Sequence, residues 1–172
     1  MKKNIFIILL SLLTLNISAH IQHNFLGNIL GVSAYDQVRY NMYDKGYINS
    51  APHNKDYAVY RNVKFAGYTC EEADFHFYDN KFYMVSFIIG KTGNTKEIFE
   101  SLKDKLQNKY PNYKYEEEEN NIKFQDNTTL LILRNNTFDK TAENYLSLTY
   151  IDLNLSKKKI DDKISKNYSD EL

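Results

Sequence analysis

The chain has 172 residues, 42% of them hydrophobic, with 22 basic and 22 acidic side chains, two prolines and six glycines. That composition excludes a disordered tail and gives no basic stripe for a general nucleic-acid footprint. A single cysteine, Cys70, excludes an internal disulfide, so stability must come from an apolar core.

Met1 to Ala19 opens with Lys2 and Lys3, continues through an apolar run from Ile5 to Leu15, and ends in the small residues Ser18 and Ala19. This pattern predicts a secretory signal peptide cleaved near Ala19, since the apolar run is too short for a stable span. Its loss leaves 20 basic against 22 acidic residues. The short signal has a bacterial look, and an exported protein of the periplasm or the extracellular space is expected. No later stretch is apolar and long enough to span a bilayer as a helix.

Phe25 to Leu30 is apolar and bounded by Gly27 and Gly31. Ser33 reads as an N-cap, and Tyr35, Val38 and Met42 recur at helical spacing until Gly46, which predicts a helix over Ala34 to Lys45. From Tyr57 the period becomes two, through Val63 and Phe65, then Ala73, Phe75 and Phe77, with a tight turn at Asp79 and Asn80 into Phe82 to Ile89. This is a β-meander of three or four strands. Ile98, Leu102, Leu106 and Tyr110 then define a second helix that Pro111 stops. Strand patterns return at 113–117, 122–125, 129–134 and 145–153.

The order helix then meander thus occurs twice, in units 25–90 and 91–153 of a domain spanning 20–153. A helix beside an antiparallel meander must lay its apolar stripe on one sheet face, so the fold class is α+β, with helices on one face. In the tail, 154–172, Ile160, Ile164, Tyr168 and Leu172 form a narrow stripe, while Lys157 to Lys159 open it and Asp170 and Glu171 close it. These charges oppose the helix dipole, and the expectation is a C-terminal helix that frays unless docked.

Phe25-Leu26-Gly27 through Gly31, and Ser33 to Gly46 ending in Asp44-Lys45-Gly46-Tyr47, resemble the opening of small secreted proteins abundant in Bacteroidetes. Phe65-Ala66-Gly67, the strand Phe82 to Phe87, Leu102 to Tyr110, Tyr150-Ile151-Asp152 and Asp170 to Leu172 extend the resemblance, with Asn28 in place of the usual Ile and Pro111 in place of the usual Gly. The resemblance implies tandem helix-plus-meander units, a build similar to the β-lactamase-inhibitor-protein and outer-membrane-assembly lipoprotein folds, which bind proteins. It implies no catalytic residues.

His20 would become the mature N-terminus, where a histidine brace with His23, His53 or His76 could hold copper. Surface histidines are the plainer reading, and no cofactor is called for. Cys70 and His76 are close in sequence, but a lone cysteine in a strand-rich region reads as a small buried hydrophobe. Glu116 to Glu119 read as a solvated edge rather than a calcium loop, and no carboxylate pair stands out among Glu71, Glu72 and Asp74. Tyr60, Tyr78 and Tyr83, if they share the outer sheet face, would make a platform for a protein or a sugar. The leading reading is a non-enzymatic binding or assembly module that holds a protein or cell-envelope partner through a sheet face or edge. A carbohydrate-binding module and a copper protein or small enzyme centred on His20 are the alternatives.

Overall fold

The computed structural model describes residues 20–51, 54–90, 95–136 and 145–169, with side chains through 166. The expected signal segment and His53 therefore lie outside the described residues.

A short two-stranded hairpin comes first, β1 (Asn24–Phe25) and β2 (Asn28–Ile29), followed by helix α1 (Tyr35–Asp44). Ser33 does not cap that helix. Its hydroxyl accepts from the Ile29 N–H instead (2.9 Å), and Ala34 occupies the cap position without a side-chain bond. The first-turn N–H of Tyr35 donates to Asn80 Oδ1 from the far β-turn (3.4 Å), a partner that local sequence cannot reveal.

Strands β3 (Tyr57–Phe65), β4 (Tyr68–Tyr78) and β5 (Lys81–Ile89) form the first meander. Its turns are tight because both central residues of each, Ala66-Gly67 and Asp79-Asn80, take positive φ, matching the strand twist. Helix α2 (Thr95–Lys109) leads into β6 (Lys114–Glu118), β7 (Asn121–Gln125), β8 (Thr129–Asn136) and β9 (Tyr145–Asp152). The two meanders join as one antiparallel sheet in the order β3-β4-β5-β9-β8-β7-β6, with β3 and β6 at the edges. The class is α+β, as the pattern predicts.

The face of the sheet beneath α1 and α2 carries one continuous core. Val38 and Met42 of α1, and Phe99, Leu102 and Leu106 of α2, meet Phe75, Val85, Phe87, Leu131, Leu133 and Leu148 there. Phe25 completes the core from the β1–β2 hairpin. Backbone bonds from Ile21 N–H to Asp126 and from Gln22 N–H to the Tyr110 hydroxyl pin the segment leading to it. Burial by itself would raise the Asp126 carboxyl, but N–H donors from Thr128, Ile21 and Thr129 outweigh it and hold it below the usual carboxylate range.

Helix α3 (Leu153–Ser169) starts one residue before the expected tail, because Asp152 caps it through Leu155 N–H (2.8 Å). It also docks with the unexpected side. Asp162 accepts from the Tyr78 hydroxyl, Lys158 pairs with Asp79 (2.8 Å) and Lys159 donates to the Tyr83 hydroxyl (2.8 Å), while Ile160 and Ile164 face solvent. The reason is the surface it meets: Tyr78 and Tyr83 lie across the sheet from the core and offer phenol hydroxyls and ring faces, which suit ammonium and carboxylate groups better than isoleucines.

Candidate functional site

The proposed platform of Tyr60, Tyr78 and Tyr83 does not assemble. Tyr78 and Tyr83 lie under α3, whereas Tyr60 points to the opposite face, where it is 1% exposed and stands edge-on to Phe75 (5.6 Å). The sequence reading extends one strict alternation through β3, and a local break at Asn62 defeats it. Asn62 takes φ 55, so Tyr60 and Val63 both reach the core, while the register shift between β4 and β5 at His76/Phe77 makes Tyr83 the extra residue and leaves it on the face of Tyr78.

The described histidines, His20, His23 and His76, do not converge either. His20 Nδ1 lies 3.9 Å from Asp126 Oδ2, and His23 Nε2 shares a hydrogen bond with Thr129 Oγ1 (2.7 Å). Among the described residues no group of three or more His, Cys, Asp or Glu side chains is arranged to hold a metal ion. Cys70 sits in the core with its thiol pushed up to about 11 by burial, and His76 lies on the other sheet face beside Tyr57 and Tyr83, so the two form no nucleophile–base pair. Glu116 to Glu118 lie on the exposed edge strand β6 or at its end. Lys114 and Lys123 hold Glu116, Lys103 holds Glu117, and the Asn121 amide and then Lys123 donate to Glu118, which keeps all three carboxyls below the usual range.

One cleft does form around Tyr60, at the corner between α1 and the β3 edge. The core side of α1 is occupied by Tyr35, Val38 and Met42, so Arg39, Tyr40 and Tyr43 project from its other side. Gly46, at φ 83, ends the helix, and the chain turns back along β3. There Ser50 N–H donates to Val59 O (2.8 Å), Asn49 Oδ1 accepts from Val59 N–H (3.0 Å) and the Tyr47 hydroxyl accepts from Lys64 N–H (3.2 Å). This strap satisfies part of the sheet edge and stands across from α1 as a second wall. Between them lies a cleft of about 340 Å³ lined by Arg39, Tyr40, Tyr43, Tyr47, Ile48, Asn49 and Tyr60. Comparison with protein-family models, curated proteins and solved structures finds no match.

The cleft combines three unusual features. Tyr40 and Tyr43 are each 70% exposed and Ile48 is 77% exposed, so its rim is aromatic and apolar but wet. The Arg39 guanidinium lies over the Tyr35 ring (5.6 Å) and 3.6 Å from Asp36 in a solvent-exposed pair. On the floor, the Tyr60 hydroxyl is buried without a hydrogen-bond partner. Burial first, and Tyr35 second, push its pKa up to about 12 against the opposing charge of Arg39, so it keeps its proton and stays a donor at any physiological pH. Sequence reading selects Tyr60 for the wrong face and passes over Arg39, Tyr40, Tyr43 and Tyr47. The available signal was the pair Tyr40 and Tyr43, three apart and opposite Val38 and Met42.

A second unpartnered polar atom marks the open sheet face. Asp74 Oδ1 is buried without a partner between Val59 and Ser86 in the cross-strand register. Burial, reinforced by Glu72, pushes this carboxyl up to about 6. A pKa above the unfolded value means that the folded state holds the proton more tightly, so stability falls as pH rises from about 4 to about 6. Asp74→Asn is therefore expected to raise the melting temperature at pH 7.5 and leave it nearly unchanged at pH 4, as thermal unfolding followed by circular dichroism will measure. Equal shifts at both pH values would contradict the titration and point to packing.

Proposed function

We propose that this protein is an exported, non-enzymatic binding module that holds a protein partner at the corner between α1 and the β3 edge. The observation that carries this reading is the cluster of exposed Tyr40, Tyr43 and Ile48 around a single cleft with Arg39 on its wall. Scattered surface hydrophobes need no explanation, but a contiguous aromatic rim does. Tyrosine and arginine are the residues that most often anchor protein interfaces, because they present large, stiff contact area with polar ends. Among the described residues the cleft lining includes no carboxylate, imidazole or thiol, which supports binding over turnover. Export rests on the Lys2, Lys3 and apolar-run pattern at the start of the chain.

The test is site-specific photo-crosslinking in the producing cells. A photoreactive residue at Tyr43 is expected to give one defined protein adduct that Tyr40→Ala weakens, while the same group at Ile160, exposed on α3, gives none of that species. The same adduct from both positions, or no adduct from Tyr43, would sink the proposal.

A further inference from the structure

We infer that the cleft is built to receive a carboxylate from an acidic side chain of the protein partner, held by the Arg39 guanidinium on its wall. This rests on the reading of the corner as a protein-binding site and adds the chemistry of what enters it. Arg39 offers only donors. Asn49 Oδ1 already accepts from the Val59 and Ala51 N–H groups, and the Tyr47 hydroxyl already accepts from Lys64 N–H. Arg39 is thus the one charged side chain among the described residues that line the cleft, and it favours a ligand that carries negative charge.

Charge narrows the class further. A neutral sugar would gain nothing from the charge of Arg39. A cationic side chain would meet Arg39. A dianionic phosphate would find one guanidinium for two charges. A carboxylate matches one guanidinium in charge and can take its paired N–H groups through two oxygens. The pair between Arg39 and Asp36 does not pre-empt it, since both side chains are more than half exposed and such pairs are weak in water. The Tyr40 and Tyr43 rings supply the apolar wall for the aliphatic stem of the acid and for its neighbours in the partner chain.

The experiment uses the mature protein and two peptides, acetyl-Leu-Glu-Leu-amide and acetyl-Leu-Gln-Leu-amide, titrated to millimolar concentration and followed by NMR. The glutamate peptide is expected to bind at least about five-fold more tightly, because only it forms the charge-assisted pair. Arg39→Gln should abolish that preference. Equal affinities, no binding by either peptide, or a preference that survives Arg39→Gln would overturn the inference. A Tyr43 crosslink in cells that persists in Arg39→Gln would also overturn it while leaving the protein-binding site intact, so the two failures are distinguishable.

Discussion

Phe25→Ala is expected to lower the free energy of unfolding by about 3–5 kcal/mol, the range for deleting a fully buried aromatic ring. Phe25 belongs to a hairpin of four paired residues outside the main sheet, yet it is wholly buried. Its ring meets Phe65 of β3 (5.9 Å), Phe82 and Phe87 of β5 (both 6.1 Å) and Tyr150 of β9 (4.6 Å). Phe65 and Phe87 themselves stack at 3.9 Å, nearly parallel. Removing Phe25 leaves a cavity among rings held by three strands of a hydrogen-bonded sheet, which cannot collapse to fill it. Urea unfolding followed by circular dichroism measures the loss, with Tyr115→Ala on the exposed strand β6 as a control expected to cost under about 1 kcal/mol. Should alanine unfold the protein outright, Phe25→Leu gives a measurable intermediate value. A loss for Phe25→Ala no larger than the control would show that the N-terminal segment does not belong to the core.

Gly31→Ala is expected to cost about 2–3 kcal/mol, against about 1 kcal/mol for Gly67→Ala. Both glycines have positive φ, 81 and 85 degrees, so both substitutions carry the backbone penalty. A Cβ on Gly67 meets nothing within 4 Å, whereas a Cβ on Gly31 falls 2.5 Å from Asp152 Oδ2. Neither side of that contact can yield easily. Gly31 N–H donates to Phe82 O (2.7 Å), Phe82 N–H donates to Ser33 O (2.8 Å), and the buried Asp152 caps α3. The added methyl must therefore push the Asp152 carboxylate off the helix terminus, and loss of such a cap costs about 1 kcal/mol. Because one displacement causes both effects, Gly31→Ala combined with Asp152→Ala should destabilise by less than the sum of the two, measured in a double-mutant cycle. Strict additivity would mean that the glycine is needed for its backbone angle alone.

The α+β class, both core helices and the four strands of the second meander could be read from periodicity, because apolar spacing of four and of two reflects which side chains must leave water together. Ile98, Leu102 and Leu106 needed no tertiary information to mark α2, and Asp79-Asn80 needed none to mark a hairpin. The joining of the meanders through β5 and β9 was not legible in this way, since backbone pairing between strands far apart in the chain leaves no local pattern.

The candidate site divides along the same line. Sequence alone determined that the chain carries two core helices, strands enough for a sheet, a single cysteine and an excess of tyrosine. Only tertiary structure decided that Tyr60 lies beneath α1 while Tyr78 and Tyr83 lie beneath α3, and that Arg39, Tyr40 and Tyr43 share a wall with a strap along β3. The physical reason is that alternation assigns a face only while pairing stays regular. One left-handed residue in β3 carries Tyr60 to the core face, and no local preference announces it.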